Sequence, residues 1–105
     1  MAYQDAMQIN IQYQGKWRIK TAEGTNIFIG RPNAGTLVQI DLSPDTTVSR
    51  VHARVWQEDG QWWAEDLQSK YGTQLNSQPL KAKAPLTSSD TLTIGESALR
   101  FDFPA

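Results

Sequence analysis

Apolar and polar residues alternate along much of this chain with a period of two, and the alternation begins at Met7. Met7, Ile9, Ile11 and Tyr13 take one parity while Gln8, Asn10 and Gln12 take the other, the spacing of a strand with one buried face. Gln14-Gly15 interrupts the run, and Trp17 and Ile19 begin a second such strand. The AEGTN stretch then turns the chain into Ile27-Phe28-Ile29, which stops abruptly at Gly30-Arg31. RPNAG is dense in turn residues, after which Val38, Ile40 and Leu42 alternate with Gln39 and Asp41. SPDTT reads as a loop, followed by a strand from His52 to Gln57.

The pair Asp59-Gly60 lies between two alternating runs, a strong local signal for a tight hairpin. Trp62 to Leu67 is its return strand. SKYGTQLNSQP is mostly turns around one short strand. Thr91 to Ile94 and Leu99 to Phe103 close the chain, with Leu99, Phe101 and Phe103 facing inward. No segment carries a helical period. Short strands at intervals of about eight to twelve residues, with turn signals between, predict an all-β sandwich or barrel. Two sheets packed face to face would bury the alternating residues in one core, and the loops at one end would lie together as the natural place for function.

Composition narrows this without changing it. The chain has 105 residues, 39% of them hydrophobic, with four Trp, three Tyr and three Phe, enough for one domain with its own core. We take residues 1–105 as that single domain, ordered over roughly 7–103, and its size also suits one module of a longer protein. The longest apolar runs are triplets, against about 20 residues for a membrane-spanning helix, so no membrane insertion is expected. The start, MAYQDAMQIN, lacks the basic and apolar regions of a secretion signal, which makes the cytoplasm the default location. The formal net charge of -1 offers no basic excess to displace counterions from phosphates, so no nucleic-acid partner is expected. There is no cysteine, hence no disulfide, thiolate metal site or cysteine nucleophile.

Catalytic chemistry is hard to assemble from what remains. Ser49 and His52, the only histidine, are close in sequence, but an odd separation on an extended chain sends side chains to opposite faces, and Asp45 or Asp66 enter as a third member only by guesswork. A lone histidine beside a strand is usually a hydrogen-bonded structural residue. Glu58, Asp59, Glu65 and Asp66 flank a hairpin as a solvated face rather than a metal site. No Gly-rich loop ends in Gly-Lys-Ser/Thr, so the P-loop cradle is missing. We expect no enzyme, no cofactor and no metal.

Placed charge is another matter. A phosphate monoester carries about -1.5 to -2 charge and three acceptor oxygens, and a surface holds it with a guanidinium fork, hydroxyls and backbone N–H groups. Arg31 follows Gly30 at a strand end, Ser49 and Arg50 stand where a loop meets the next strand, and Lys70, Tyr71 and Gly72 form a third loop. If these loops share one rim, the polar groups converge. Taken singly, Arg31 and Lys70 are ordinary surface charges and Ser49 an ordinary turn residue. Only order and spacing raise them above that.

That order is distinctive. Gly30-Arg31, then Ser49-Arg50-Val51-His52-Ala53, then Asp66-Leu67, Ser69, Gly72-Thr73 and Asn76 resemble the forkhead-associated (FHA) domain family over roughly Met7 to Phe103. The resemblance implies a two-sheet β-sandwich of about ten or eleven short, mainly antiparallel strands, with binding loops at one end. It implies a non-catalytic module that recognises phosphothreonine in a protein or peptide marked by an upstream Ser/Thr protein kinase. Carried over by position, Arg31 and Ser49 look like the phosphate ligands and Arg50 like a further contact, with Lys70 and Tyr71 in the phosphopeptide-binding set. Gly30, His52, Gly72, Thr73 and Asn76 resemble the residues that shape the loops. One departure stands out: where the family usually has Asn-Gly-Thr, its asparagine holding the peptide backbone, this chain has Tyr71-Gly72-Thr73, and a phenol hydroxyl supplies only part of what an amide offers.

Two other classes compete. A phosphate-independent interaction or self-association domain on the same scaffold is motivated by Tyr71 and by Trp56, Trp62 and Trp63. Adjacent tryptophans on a strand face opposite ways, so one of Trp62 and Trp63 should be core and the other outward. A sugar-binding sandwich would need an outward row of aromatics that the sequence does not clearly offer.

Overall fold

A computed structural model of the chain describes residues 6–104. Residues 1–5, beyond the range of roughly 7–103 expected to be ordered, lie outside the described residues. The chain forms eleven strands: β1 Ala6–Tyr13, β2 Lys16–Glu23, β3 Asn26–Gly30, β4 Ile40–Asp41, β5 Ala53–Glu58, β6 Gln61–Asp66, β7 Thr73–Leu75, β8 Gln78–Pro79, β9 Ala84–Pro85, β10 Leu92–Ile94 and β11 Ser97–Asp102. They pair as a six-stranded sheet in the order β2-β1-β11-β10-β7-β8 and a five-stranded sheet in the order β4-β3-β5-β6-β9. Every pairing is antiparallel except β3 with β4. The expected sandwich of ten or eleven mainly antiparallel strands is what forms.

The alternation explains the core. Met7, Ile9 and Ile11 of β1 face Ile27 and Ile29 of β3, Ala53 and Val55 of β5, Leu92 and Ile94 of β10, and Leu99 and Phe101 of β11 in one buried cluster. Each large side chain removed from water contributes about 1.5–3 kcal/mol. Phe103 is half-buried and stacks between Trp62 (4.7 Å between ring centroids) and Phe101 (5.6 Å). At the β5–β6 hairpin Asp59 and Gly60 both take positive φ, 54° and 78°, as a two-residue turn matched to sheet twist requires.

Several elements differ from the sequence expectation. Trp17 and Ile19 do lie on a strand, but both are 61% exposed. The register sets Gln12 opposite Trp17 and Asn10 opposite Ile19, and directly opposed residues share a face, so the two apolar side chains stand on the polar side of β1. The strand also runs through Ala22 and Glu23, where a turn was expected. Between Val38 and Leu42 only Ile40–Asp41 forms a regular ladder, because Asp41 Oδ1 accepts the Ser43 N–H at 2.8 Å and curls the chain. Trp56 and Trp62 are in the interior, 7% and 6% exposed, and Trp63 is half-buried beneath the Lys83 ammonium, 4.8 Å from its ring centroid.

Candidate functional site

Antiparallel pairing brings distant pieces of chain to one end. Ile29 opposes Ala53 and Ala53 opposes Asp66, so the end of β3, the start of β5 and the end of β6 coincide. In the other sheet Ile94 opposes both Thr73 and Ser97, which sets the start of β7 beside the β10–β11 turn. Hydrogen bonds across the sandwich join these two edges. The rim therefore holds the segment after Gly30, the loop from Leu42 to His52, the loop from Leu67 to Gly72 and the turn at Gly95-Glu96.

Three polar groups tie the rim together, two fully buried and one part-buried. The first is His52, fully buried. The Ser49 backbone N–H donates to its Nδ1 at 3.0 Å, and its Nε2 lies 2.8 Å from the Gly72 carbonyl. An amide N–H can only donate and a carbonyl can only accept, so the ring is the neutral Nε2–H tautomer, donating to Gly72. One imidazole thus links the second loop to the third. It is not aimed at the Ser49 hydroxyl: Ser49 Oγ instead accepts the Lys70 N–H at 3.0 Å, and the Ser–His–Asp order assembles no relay.

The second hub is Asp66, which accepts from Ser69 Oγ (2.5 Å), Ser69 N (3.1 Å) and Thr73 Oγ1 (2.6 Å). Ser69 Oγ in turn accepts the Gly72 N–H at 2.9 Å, so the third loop is closed on itself. Burial pushes the Asp66 carboxyl up, but the hydrogen bonds from Ser69 and Thr73 outweigh it and hold the group below the usual carboxylate range.

The third is Asp45, also fully buried. Its Oδ1 accepts from Thr47 N (3.0 Å) and Thr47 Oγ1 (2.5 Å), and its Oδ2 from Glu96 N (2.8 Å) and Ser97 Oγ (2.8 Å). Burial again acts upward, and the bonds from Thr47, Ser97 and Glu96 overcome it and lower the pKa. This carboxylate fastens the second loop to the opposite sheet. Sequence reasoning offered Asp45 only as a guess at catalysis. The signal lay in Asp-x-Thr, a pair whose side chain can bond the backbone two residues on.

Two glycines make the loops' close approach feasible. A Cβ on Gly30 would lie 2.1 Å from the Arg50 carbonyl oxygen, and one on Gly95 would lie 2.4 Å from Thr47 Oγ1. Any larger residue at Gly30 drives the first and second loops apart. Gly95 went unnoticed in the sequence because its neighbour is 48 residues away and no local pattern marks it.

The candidate residues now have places. The Arg31 N–H donates to the Ser49 carbonyl at 2.9 Å, and its Nε donates to the Val48 carbonyl at 3.3 Å. Among the described residues neither Arg31 Nη has a hydrogen-bond partner. Arg50 is exposed beside Gly30. Tyr71 is 64% exposed with the Lys70 ammonium 5.3 Å from its ring centroid. Gly72 and Thr73 lie in the His52 and Asp66 networks. Asn76 does not reach this rim: it sits past the far end of β7, where its Nδ2 donates to Asp90 Oδ1 at 2.8 Å and its Oδ1 accepts the Thr91 N–H at 2.9 Å. It shapes the turn after the third loop. Among the described residues no three His, Asp or Glu side chains group as metal ligands, and no helix is long and apolar enough to cross a membrane.

Comparison with known proteins gives this arrangement a family. No curated protein matches the chain by sequence. Among solved structures, a domain described in a study of phosphothreonine-dependent FHA domain interactions is 26% identical with a TM-score of 0.76, covering 93% of this chain and 96% of that one. The FhaA FHA domain, solved in complex with the intracellular domain of another protein, is 26% identical with a TM-score of 0.74, covering 90% and 98%. The FHA domain of the CT664 protein of Chlamydia trachomatis shares the fold at 19% identity, with a TM-score of 0.78 and coverage of 95% and 99%. The family model described as the FHA domain matches residues 27–95, a span that runs from β3 through all the rim loops to Gly95, and the chain belongs to that family.

Proposed function

We propose that this domain binds phosphothreonine-containing segments of partner proteins, marked by a Ser/Thr kinase, and performs no chemistry on them. Arg31 and Ser49 grip the phosphate, Arg50 adds a further contact, and Lys70 and Tyr71 meet the flanking peptide. The observation that carries this is the state of Arg31. Its Nε is committed to the Val48 carbonyl, which aims the guanidinium, while its outer nitrogens are left for a ligand. A preset fork of this kind loses little freedom on binding. Support comes from the relatives as well, one studied for phosphothreonine-dependent interactions. A cytoplasmic setting fits a ligand that a kinase makes.

Next to the loops runs a groove lined by Thr47, Tyr71, Gly72, Gln74 and Glu96, the natural path for residues beside the phosphothreonine. Tyr71 stands where the family usually has an asparagine, so the peptide backbone is held by one hydroxyl rather than by an amide pair. Burying the threonine methyl contributes about 0.8 kcal/mol, roughly a fourfold preference over serine. Of the tryptophans behind the phosphate-independent alternative, Trp56 and Trp62 are interior and Trp63 is half-buried, so none of the three is a fully exposed anchor. A degenerate phosphothreonine-peptide library, presented with and without phosphatase treatment to wild type and Arg31→Ala, checks the proposal. Binding to the phosphorylated pool alone, lost in the variant, is the expected result. Equal binding of both pools by both proteins would overturn it.

A further inference from the structure

The strand farthest from expectation is β2, and its features do not belong to the rim. It is the edge of the six-stranded sheet, eight residues long and paired along its whole length to β1 on one side only. No proline or bulge blunts its free side. Trp17 and Ile19 project from its outer face, each 61% exposed. Lys16, Arg18 and Lys20 project from the other face, since they oppose Tyr13, Ile11 and Ile9 in the register. Arg18 Nε and Nη2 are buried and have no hydrogen-bond partner among the described residues. Asp41 of β4 feels Lys20 and Arg18, but its Oδ1 already accepts the Ser43 N–H.

From these we infer that β2 is a docking edge for an extended acidic segment of a partner protein, which joins the sheet as a seventh strand. Main-chain hydrogen bonds to the free edge supply affinity, and alternate side chains supply specificity. Apolar residues of the incoming strand cover Trp17 and Ile19. Its carboxylates, two residues apart, meet Lys16, Arg18 and Lys20 and satisfy the unpartnered Arg18 nitrogens, which cost free energy when left bare. Charge disfavours a second copy of this chain as the occupant. Symmetric antiparallel pairing through β2 sets the basic faces of both copies side by side, and like charges directly opposed are destabilising. Basic residues on an edge deter self-association, and the same residues are complementary to an acidic strand.

The test uses two unphosphorylated seven-residue peptides, one alternating Glu and Val and the other alternating Lys and Val, titrated into the domain by amide NMR and Trp fluorescence. The acidic peptide should shift the amides of residues 16–23 and leave the rim amides in place, binding at least tenfold more tightly than the basic one. The double variant Arg18→Glu/Lys20→Glu should reverse that ranking. Trp17→Ser, which alters only an exposed outer-face position, should weaken the acidic peptide several-fold without unfolding the domain. Failure of both peptides to perturb β2 at millimolar concentration would overturn the inference. So would equal binding of the two peptides, or light scattering that shows a dimer sensitive to the β2 variants.

Discussion

The body of the sandwich and its loop rim each have groups shielded from water, but different physics holds each. In the body Ile9, Ile11, Ile27, Ile29 and Leu99 are fully covered by other apolar side chains, a non-directional interaction that tolerates substitution of similar volume. At the rim the anchoring groups are buried His52 and Asp45 and part-buried Asp66, and each is held by two or more hydrogen bonds of fixed direction. The contrast shows a division of labour. Apolar area keeps the domain folded, and directional bonds fix where Arg31, Ser49 and Lys70 stand. The polar hubs lie between the two roles, since removing one should cost stability and binding together.

Substitutions graded from body to rim surface break that comparison apart. Phe101→Ala, at the centre of the core, should cost about 3–5 kcal/mol in urea unfolding while leaving phosphopeptide affinity unchanged wherever the domain remains folded. Asp45→Asn should cost about 2 kcal/mol and also weaken phosphopeptide binding. Each Asp45 oxygen accepts a backbone N–H, from Thr47 and from Glu96, so either orientation of the amide sets a donor against a donor. A variant as stable as wild type would show that the hub is not needed.

Acid probes the same hubs. Because the Asp45 and Asp66 pKa values are lowered in the folded state, their stabilisation is complete above the unfolded value near pH 4. It is lost as pH falls below that through the lower folded values. Urea midpoints should drop over that window, and in Asp45→Asn the drop should be shallower. The smallest effect on stability belongs to Arg31→Ala, which loses one long bond to Val48 and should shift stability by about 0.5 kcal/mol. Its effect on phosphopeptide affinity should be the largest, about tenfold or more, as expected for loss of a charge-assisted contact of at least 1.5 kcal/mol.

The same contrast governs what could be read from the sequence. The body was legible because period-two alternation records burial directly, as for Met7, Ile9 and Ile11. It failed at β2, where Trp17 and Ile19 look inward by composition but register with β1 turns them out. Register is a pairing property that no single strand carries. The short strands β8 and β9 escaped because two-residue pairings containing Pro79 and Pro85 leave no periodic trace. At the rim, Gly30, His52 and Gly72 were legible through motif order. The partners that explain them were not: the Arg50 carbonyl against Gly30, or Glu96 against Asp45, are contacts between backbone groups far apart in sequence. Asn76, read as shaping the turn after the third loop, lies between β7 and β8, away from the rim.

The most direct measurement is an amide NMR titration of the domain with a phosphothreonine peptide taken from the library screen, repeated with its dephosphorylated form. The account predicts that only the phosphorylated peptide moves the amides of Gly30, Arg31, Ser49, Arg50 and Lys70 to Gly72, with the β2 amides still. Identical shifts from both forms, or shifts confined to β2, would contradict it.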